Sequence, residues 1–248
     1  MKPVDRYIQD VMACVFARPA ERERFEADLR AHFADAEERG QTPARIIEDM
    51  GRPEDVAGAF NADRDFQYAG FWRRFVAFVG DLGVMGALCL IPLALVLPFC
   101  RAFAPEGEPS VLAILAMTLG ALAFMGIVVF YFPLLEWRFG KTLGKHWLRI
   151  RVIRETGGPI GLGQAFVRRL AYYFEMIVID ALFIPFTEKK QRALDIIAKT
   201  IVAKEPGEEA PWWGWVICLA LPLVCLLAII AIAGLLSTVA WVEIDGPR

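Results

Sequence analysis

Residues 70–99 open Gly70-Phe71-Trp72-Arg73-Arg74-Phe75 and then run to Phe99 with Asp81 as the one charge. At about 1.5 Å of rise per helical residue, 75–99 would cover about 37 Å, more than the roughly 30 Å of a bilayer's hydrocarbon core. A second run of the same length, 111–135, carries no charge. A third, 211–242, is also uncharged, with Trp212, Trp213 and Trp215 at one end and Trp241 at the other. Tryptophan at both ends suits the two membrane–water interfaces. All three runs are therefore read as membrane spans.

Composition points the same way. The chain has 248 residues, 56% hydrophobic and 23% charged, and its mean hydropathy is positive. A disordered or collagen-like chain is excluded. With 27 Lys+Arg against 29 Asp+Glu there is no overall basic field, so direct nucleic-acid binding is not expected. The five cysteines (Cys14, Cys89, Cys100, Cys218, Cys225) form neither CxxC pairs nor a compact disulfide framework. Two histidines, His32 and His146, do not suggest a metal site. No metal or cofactor is expected. The Gly140-Lys141-Thr142 tripeptide is not a phosphate loop, because the glycine required five residues earlier is Leu135. There is no GxSxG, HExxH or CxxC, and the protein is not expected to be an enzyme.

The positive-inside rule sets the topology. Residues 136–169 hold eight Lys/Arg and two acids, and 188–204 hold five and two. By contrast, Arg101 is the only base in 100–110 and Arg248 the only one in 243–248. Both basic stretches are placed in the cytoplasm. The segment between them, 170–186, contains Glu175 and Asp180; a charge at mid-bilayer costs about 2.5–3.5 kcal/mol on insertion scales. It is expected to be interfacial or re-entrant. That gives three crossings with a cytoplasmic N-terminus in the cell (inner) membrane; four crossings is the alternative. Residues 1–70 hold 25 charges and no apolar signal core, so the first span is expected to act as the insertion signal.

Residues 1–65 read as a small helical bundle. Tyr7, Ile8, Val11, Met12 and Val15 form one face of a helix over Val4–Phe16. Phe25, Leu29, Phe33 and Ala36 do so over Ala20–Arg39, closed by Gly40. Thr42 and Pro43 open a third helix to Met50, and Pro53 a fourth with Val56 and Phe60 inward. The core is small, so the head is expected to need a cytoplasmic protein partner. The pattern Tyr7, Leu29-Arg30, His32, Gly40, Thr42-Pro43, Ile46, Met50-Gly51-Arg52-Pro53-Glu54-Asp55-Val56-Ala57, Phe60 resembles the HAAS-type domain of bacterial membrane signalling proteins. The resemblance implies a protein-interaction module, often linked with PadR-like regulators.

In the membrane half, Arg74 and Asp81 share one helix face about 10 Å apart. Gly80, Gly83 and Gly86 would allow another helix close. An intramembrane carboxylate is costly unless paired, hydrated or protonated, which directs attention to its partner. After the second span, Leu148-Arg149-Ile150-Arg151-Val152 alternates apolar and basic and predicts a short cytoplasmic β element near 147–153, followed by a turn at Thr156-Gly157-Gly158-Pro159. Arg138, Lys141, Lys145, Arg149 and Arg151 are candidate contacts for anionic lipid, at about 1 kcal/mol per basic residue. The same charges also serve topology alone. The expected fold is thus an all-α membrane protein: a cytoplasmic helical bundle, an interfacial segment at 170–186, an added C-terminal helix at 211–242, and one small β element.

Arg74, Asp81 and Asp195, the last in the setting Lys189-Lys190-Gln191-Arg192…Asp195…Ala198…Thr200, resemble the motifs of the RDD family of small membrane proteins over about 70–204. The resemblance implies either monovalent cation/proton antiport or an assembly role; the helix at 211–242 departs from the pattern. Two functions follow. In an antiporter, Asp81 would exchange a proton for a cation, with Asp180 and Glu175 further along the pathway; burial favours a protonated carboxylate, so the two ions would compete. Three crossings would then need a homo-oligomer to enclose a path. In an interaction or regulatory protein, Arg74, Asp81 and Asp195 would form a structural cluster that docks the cytoplasmic segment on the first span.

Overall fold

The structure is a computed structural model that describes residues 3–62, 66–103, 110–174, 180–181, 183–207 and 209–244. The elements, in chain order, are α1 (Pro3–Cys14), α2 (Pro19–Glu38), α3 (Pro43–Met50), α4 (Pro53–Ala62), α5 (Phe71–Phe103), α6 (Val111–Phe139), α7 (Leu143–Trp147), β1 (Ile150–Arg154), α8 (Leu162–Val167), α9 (Leu170–Tyr173), a 3₁₀ turn at Ile184–Phe186, α10 (Ala193–Ile197), β2 (Thr200–Lys204) and α11 (Trp212–Ile244). They form two compact units: residues 1–71, 133–141 and 149–209 make the first, and 72–132, 142–148 and 210–248 the second.

The first unit begins with the four-helix head. Tyr7, Ile8, Val11 and Met12 on α1 pack on Leu29, Phe33, Ala36, Ile46 and Ala57. Tyr7 donates its hydroxyl to the Gly51 carbonyl at 3.0 Å, and Phe25 stacks on Phe60. Pro43 occupies N1 of α3 after Thr42, as expected, although the Thr42 side chain makes no capping bond. Gly40, at φ +83°, turns the chain out of α2 where a side chain would be strained. The first helix stops at Cys14, two residues before its expected end. The Arg22 guanidinium takes the carbonyls of Met12 and Val15 at 2.8 and 3.0 Å, satisfying acceptors that a helix end leaves open. Phe16 then leaves the head and packs with Ile153, Ile201 and Ala203 of the sheet. Asn61 fixes this exit: its Oδ1 accepts from Phe16 N, and its Nδ2 donates to the carbonyls of Cys14 and Thr156.

The sheet has two antiparallel strands, with Ile150 opposite Lys204, Val152 opposite Val202 and Arg154 opposite Thr200. Tyr68 forms a bridge to Ala203 on the far edge of β2. The expected β element exists, shifted toward Ile150–Arg154 because 143–147 form α7. Each strand follows the same device: a five-residue helix, a residue at φ near +51° (Arg149 or Lys199), then the strand. A left-handed residue reverses the chain so that a one-turn helix feeds a strand.

The second unit holds most of the length of the long apolar helices. Three described helices are long and apolar enough to cross a membrane: Phe71–Val96, Val111–Phe139 and Trp212–Ile232. Helix α5 meets α11 through its glycines. A Cβ at Gly83 would lie 2.6 Å from Pro222 N, and one at Gly80 2.6 Å from Cys218 Sγ. Bare glycine there lets the backbones close, as small residues do between membrane helices. Cys225 donates to the Gly83 carbonyl at 3.3 Å.

Candidate functional site

Two buried polar stations stand out, one in each unit, and each places a carboxylate at the start of a short helix.

The first is Asp81. It lies on α5 about 15 Å along the axis from Phe71, at ~1.5 Å per residue, and is fully buried. Its Oδ1 accepts from the Tyr131 hydroxyl at 3.0 Å and from Gly144 N at 2.8 Å. Its Oδ2 accepts from Thr142 Oγ1 at 2.5 Å. Thr142 is the N-cap of α7, and Gly144 is its second residue. Asp81 therefore supplies the acceptor that the N-terminal amides of α7 need, a role usually played by the cap's own side chain. Gly144 makes this approach possible, since a Cβ there would fall 2.1 Å from the Ala77 carbonyl oxygen. At the other end of α7, Arg73 donates Nε to the Leu148 carbonyl at 2.9 Å. Gly214 of α11 lies against the Trp147 carbonyl, 2.3 Å from where its Cβ would be. Lys145, buried, adds positive charge to the field at Asp81. Helix α7 is thus fastened to α5 at both ends and capped laterally by α11.

The second station lies in the first unit. Glu136, near the end of α6, is fully buried and accepts from Arg168 Nε at 3.2 Å and from Arg169 Nη2. Arg168 reaches Asp195 Oδ1 at 2.8 Å and Thr200 Oγ1 at 2.6 Å through Nη1. Arg192 pairs with Asp195 at 3.2 Å and Asp180 at 3.7 Å. Burial alone would lower the Arg192 pKa, but Asp195, Tyr172, Asp180 and Glu136 together hold it above the ordinary arginine value. Asp180 Oδ1 accepts from Leu194 N at 2.9 Å. Leu194 is the second residue of α10, the place Gly144 holds in α7. Asp180 is to α10 what Asp81 is to α7. Asp195 adds a local bond to Arg192 N at 3.3 Å.

The residues singled out in the sequence divide between these stations. Asp81 belongs to the second unit and Asp195 to the first, each with its own described partners. Arg74 is buried on α5, one residue beyond the arginine that holds Leu148. Asp180 joins Asp195 through Arg192, while Glu175 lies outside the described residues. Of the basic residues considered for lipid, Lys145 is buried, Arg138 is exposed over the Phe139 ring, and Lys141, Arg149 and Arg151 converge on Glu205 at 2.6, 3.9 and 3.7 Å. Tyr131, Thr142, Glu136, Arg168 and Arg169 also belong to the stations, although little in the sequence marks them. The one available signal was the Arg168-Arg169 pair directly before an apolar segment.

These features define a multi-pass membrane protein with an N-terminal helical head and a membrane half organised around capped connector helices. The chain belongs to the RDD family, whose model matches residues 68–199, and the HAAS model matches residues 6–59. Protein YxaI of Bacillus subtilis (strain 168), described as uncharacterized, is 33% identical over 145 residues, covering 54% of this chain and 95% of that protein. The proline-rich antigen homolog of Mycobacterium tuberculosis (strain ATCC 25618 / H37Rv) is 30% identical over 97 residues, and the proline-rich antigen of Mycobacterium leprae (strain TN) likewise. The match spans 38% of this chain and only 40% and 39% of those mycobacterial proteins. No solved structure matches.

Proposed function

We propose that this protein is a non-catalytic, membrane-anchored interaction or assembly subunit. It sits in the cell membrane with its N-terminus in the cytoplasm, and its head recruits a cytoplasmic protein. The observation that supports this reading is the state of Asp81. Two hydroxyls and one amide point the positive ends of their dipoles at the carboxylate, from α6, from the N-cap of α7 and from α7 itself. A transported cation would have to displace these donors and release the connector helix each cycle. A carboxylate bonded in this way fits a fastening better than a carrier. The basic stretches 136–169 and 188–204 support the orientation, by the positive-inside rule.

The test is cation-driven proton movement in everted vesicles, with wild type and Asp81→Asn at matched protein levels. The expected result is no Na⁺, K⁺ or Li⁺ response from well-folded wild type, and an Asp81→Asn protein with lower folded yield and melting temperature. A cation response in wild type, lost in an Asp81→Asn protein of normal stability, would replace this reading with antiport.

A further inference from the structure

The two short helices differ in what covers them. Around α7, glycines mark close backbone contact with other helices: Gly144 on Ala77, Gly214 on Trp147. Helix α10 carries bulk instead. Leu194 stands where Gly144 does, and Ile196 and Ile197 follow at 45% and 68% exposure. Three described phenylalanines before it are similarly open, with Phe174 68%, Phe183 44% and Phe186 85% exposed. Three polar side chains of the same stretch are turned inward. Asp180, Gln191 and Asp195 are buried, and Gln191 donates to the Thr200 carbonyl and to Glu155.

This is not a loop left loose in water. The 3₁₀ turn Ile184–Phe186 buries Ile184. A tight turn follows, in which Lys190 N bonds the Thr187 carbonyl and Gln191 N bonds Thr187 Oγ1 at 2.6 Å. The stretch is thus built to hold five large apolar side chains outward. Large apolar side chains held outward call for a surface that covers them. Its flank is basic: Lys189, Lys190 and Lys199 are exposed against the single acid Glu188. Lys189 shares Glu155 with Gln191, while Lys190 makes no ion pair among the described residues.

We propose that Phe174 and residues 183–197 form a membrane-interface wedge. Phe174, Phe183, Phe186, Ile196 and Ile197 enter the boundary between headgroups and acyl chains of an anionic leaflet, and Lys189 and Lys190 meet the lipid phosphates. Bulky apolar groups beside lysines are the composition of an interfacial segment. A packed partner helix would instead call for the small residues found around α7. The proposal holds whether the protein assembles partners or moves ions.

The test uses the full chain in nanodiscs, with benzoylphenylalanine placed singly at Phe186 or Ile197, at Leu115 as a span control and at Ala31 as a head control. Adducts are read by mass spectrometry after irradiation, in phosphatidylcholine alone and with phosphatidylglycerol added. The expected result is lipid adducts at 186 and 197 as at 115, none at 31, and a preference for phosphatidylglycerol. Lys190→Gln should reduce that preference by about fivefold, corresponding to ~1 kcal/mol for a basic residue at the surface. Cross-links to protein at 186 and 197 would overturn the proposal in favour of a partner helix or second copy. No adduct at either position, with labelling at 115, would overturn it in favour of a water-facing surface.

Discussion

The α7 station and the α10 station solve one problem with two kinds of partner. Both present a one-turn helix ending in a left-handed basic residue before a strand, and both take an aspartate from earlier in the chain onto the amide of the helix's second residue. At α7, among apolar helices, Asp81 is satisfied by hydroxyls and an amide, with Lys145 contributing at the level of charge. At α10, three arginines balance three acids in a network of ion pairs. A carboxylate held mainly by neutral, directional donors loses a bond with each donor removed. A network shares its charge, but loses heavily when a central member goes, since the others stay buried.

That contrast can be broken at its centre first. Arg168→Met would leave Glu136 and Asp195 short of their shared cation and should cost about 3–5 kcal/mol. Adding Glu136→Gln should recover part of it. The check is thermal unfolding in detergent of the single and double variants.

Asp81→Ala comes next. It leaves the Tyr131 and Thr142 hydroxyls and the Gly144 amide without their acceptor; at ~1–3 kcal/mol per stranded buried group, partly offset because a carboxylate is no longer buried, the cost should be about 2–4 kcal/mol. Asp81→Asn should lose less, because one acceptor oxygen remains. The readout is melting temperature at matched detergent and lipid.

Substitution at the paired helix positions separates the stations by packing. Gly144→Ala puts a methyl group on the Ala77 carbonyl and should cost about 1–3 kcal/mol through overpacking. Leu194→Ala, at the equivalent place, should cost about 1 kcal/mol and leave α7 intact. Asp180→Ala should cost about 0.5–2 kcal/mol for a lost cap, with faster amide exchange confined to 193–198.

The uneven legibility of the molecule has physical causes. The spans declare themselves because a bilayer admits long uncharged helices and little else, and the head because its periodicity and its Gly40 and Gly51 stops are local signals. The β element is displaced because Arg149 adopts φ +51°, a conformation for which arginine gives no sequence cue. Its partner β2 has the same origin at Lys199. Asp81 is conspicuous as a charge in an apolar run, but an expected charged partner leads toward Asp195 and Arg74. The groups bonded to it are Tyr131, Thr142 and a glycine amide, which composition does not distinguish from any other polar residue. Glu136, Arg168 and Arg169 fall in a basic stretch that charge counting assigns to topology, although all three are inside the protein.

The most direct test of Asp81 as the fastening of α7 is amide hydrogen exchange of the whole protein in nanodiscs, comparing wild type with Asp81→Asn. The expected result is that residues 142–148 lose protection while 192–198 keep theirs. Unchanged protection across 142–148 in a folded Asp81→Asn protein would contradict it, and would return Asp81 to the role of an ion-carrying carboxylate.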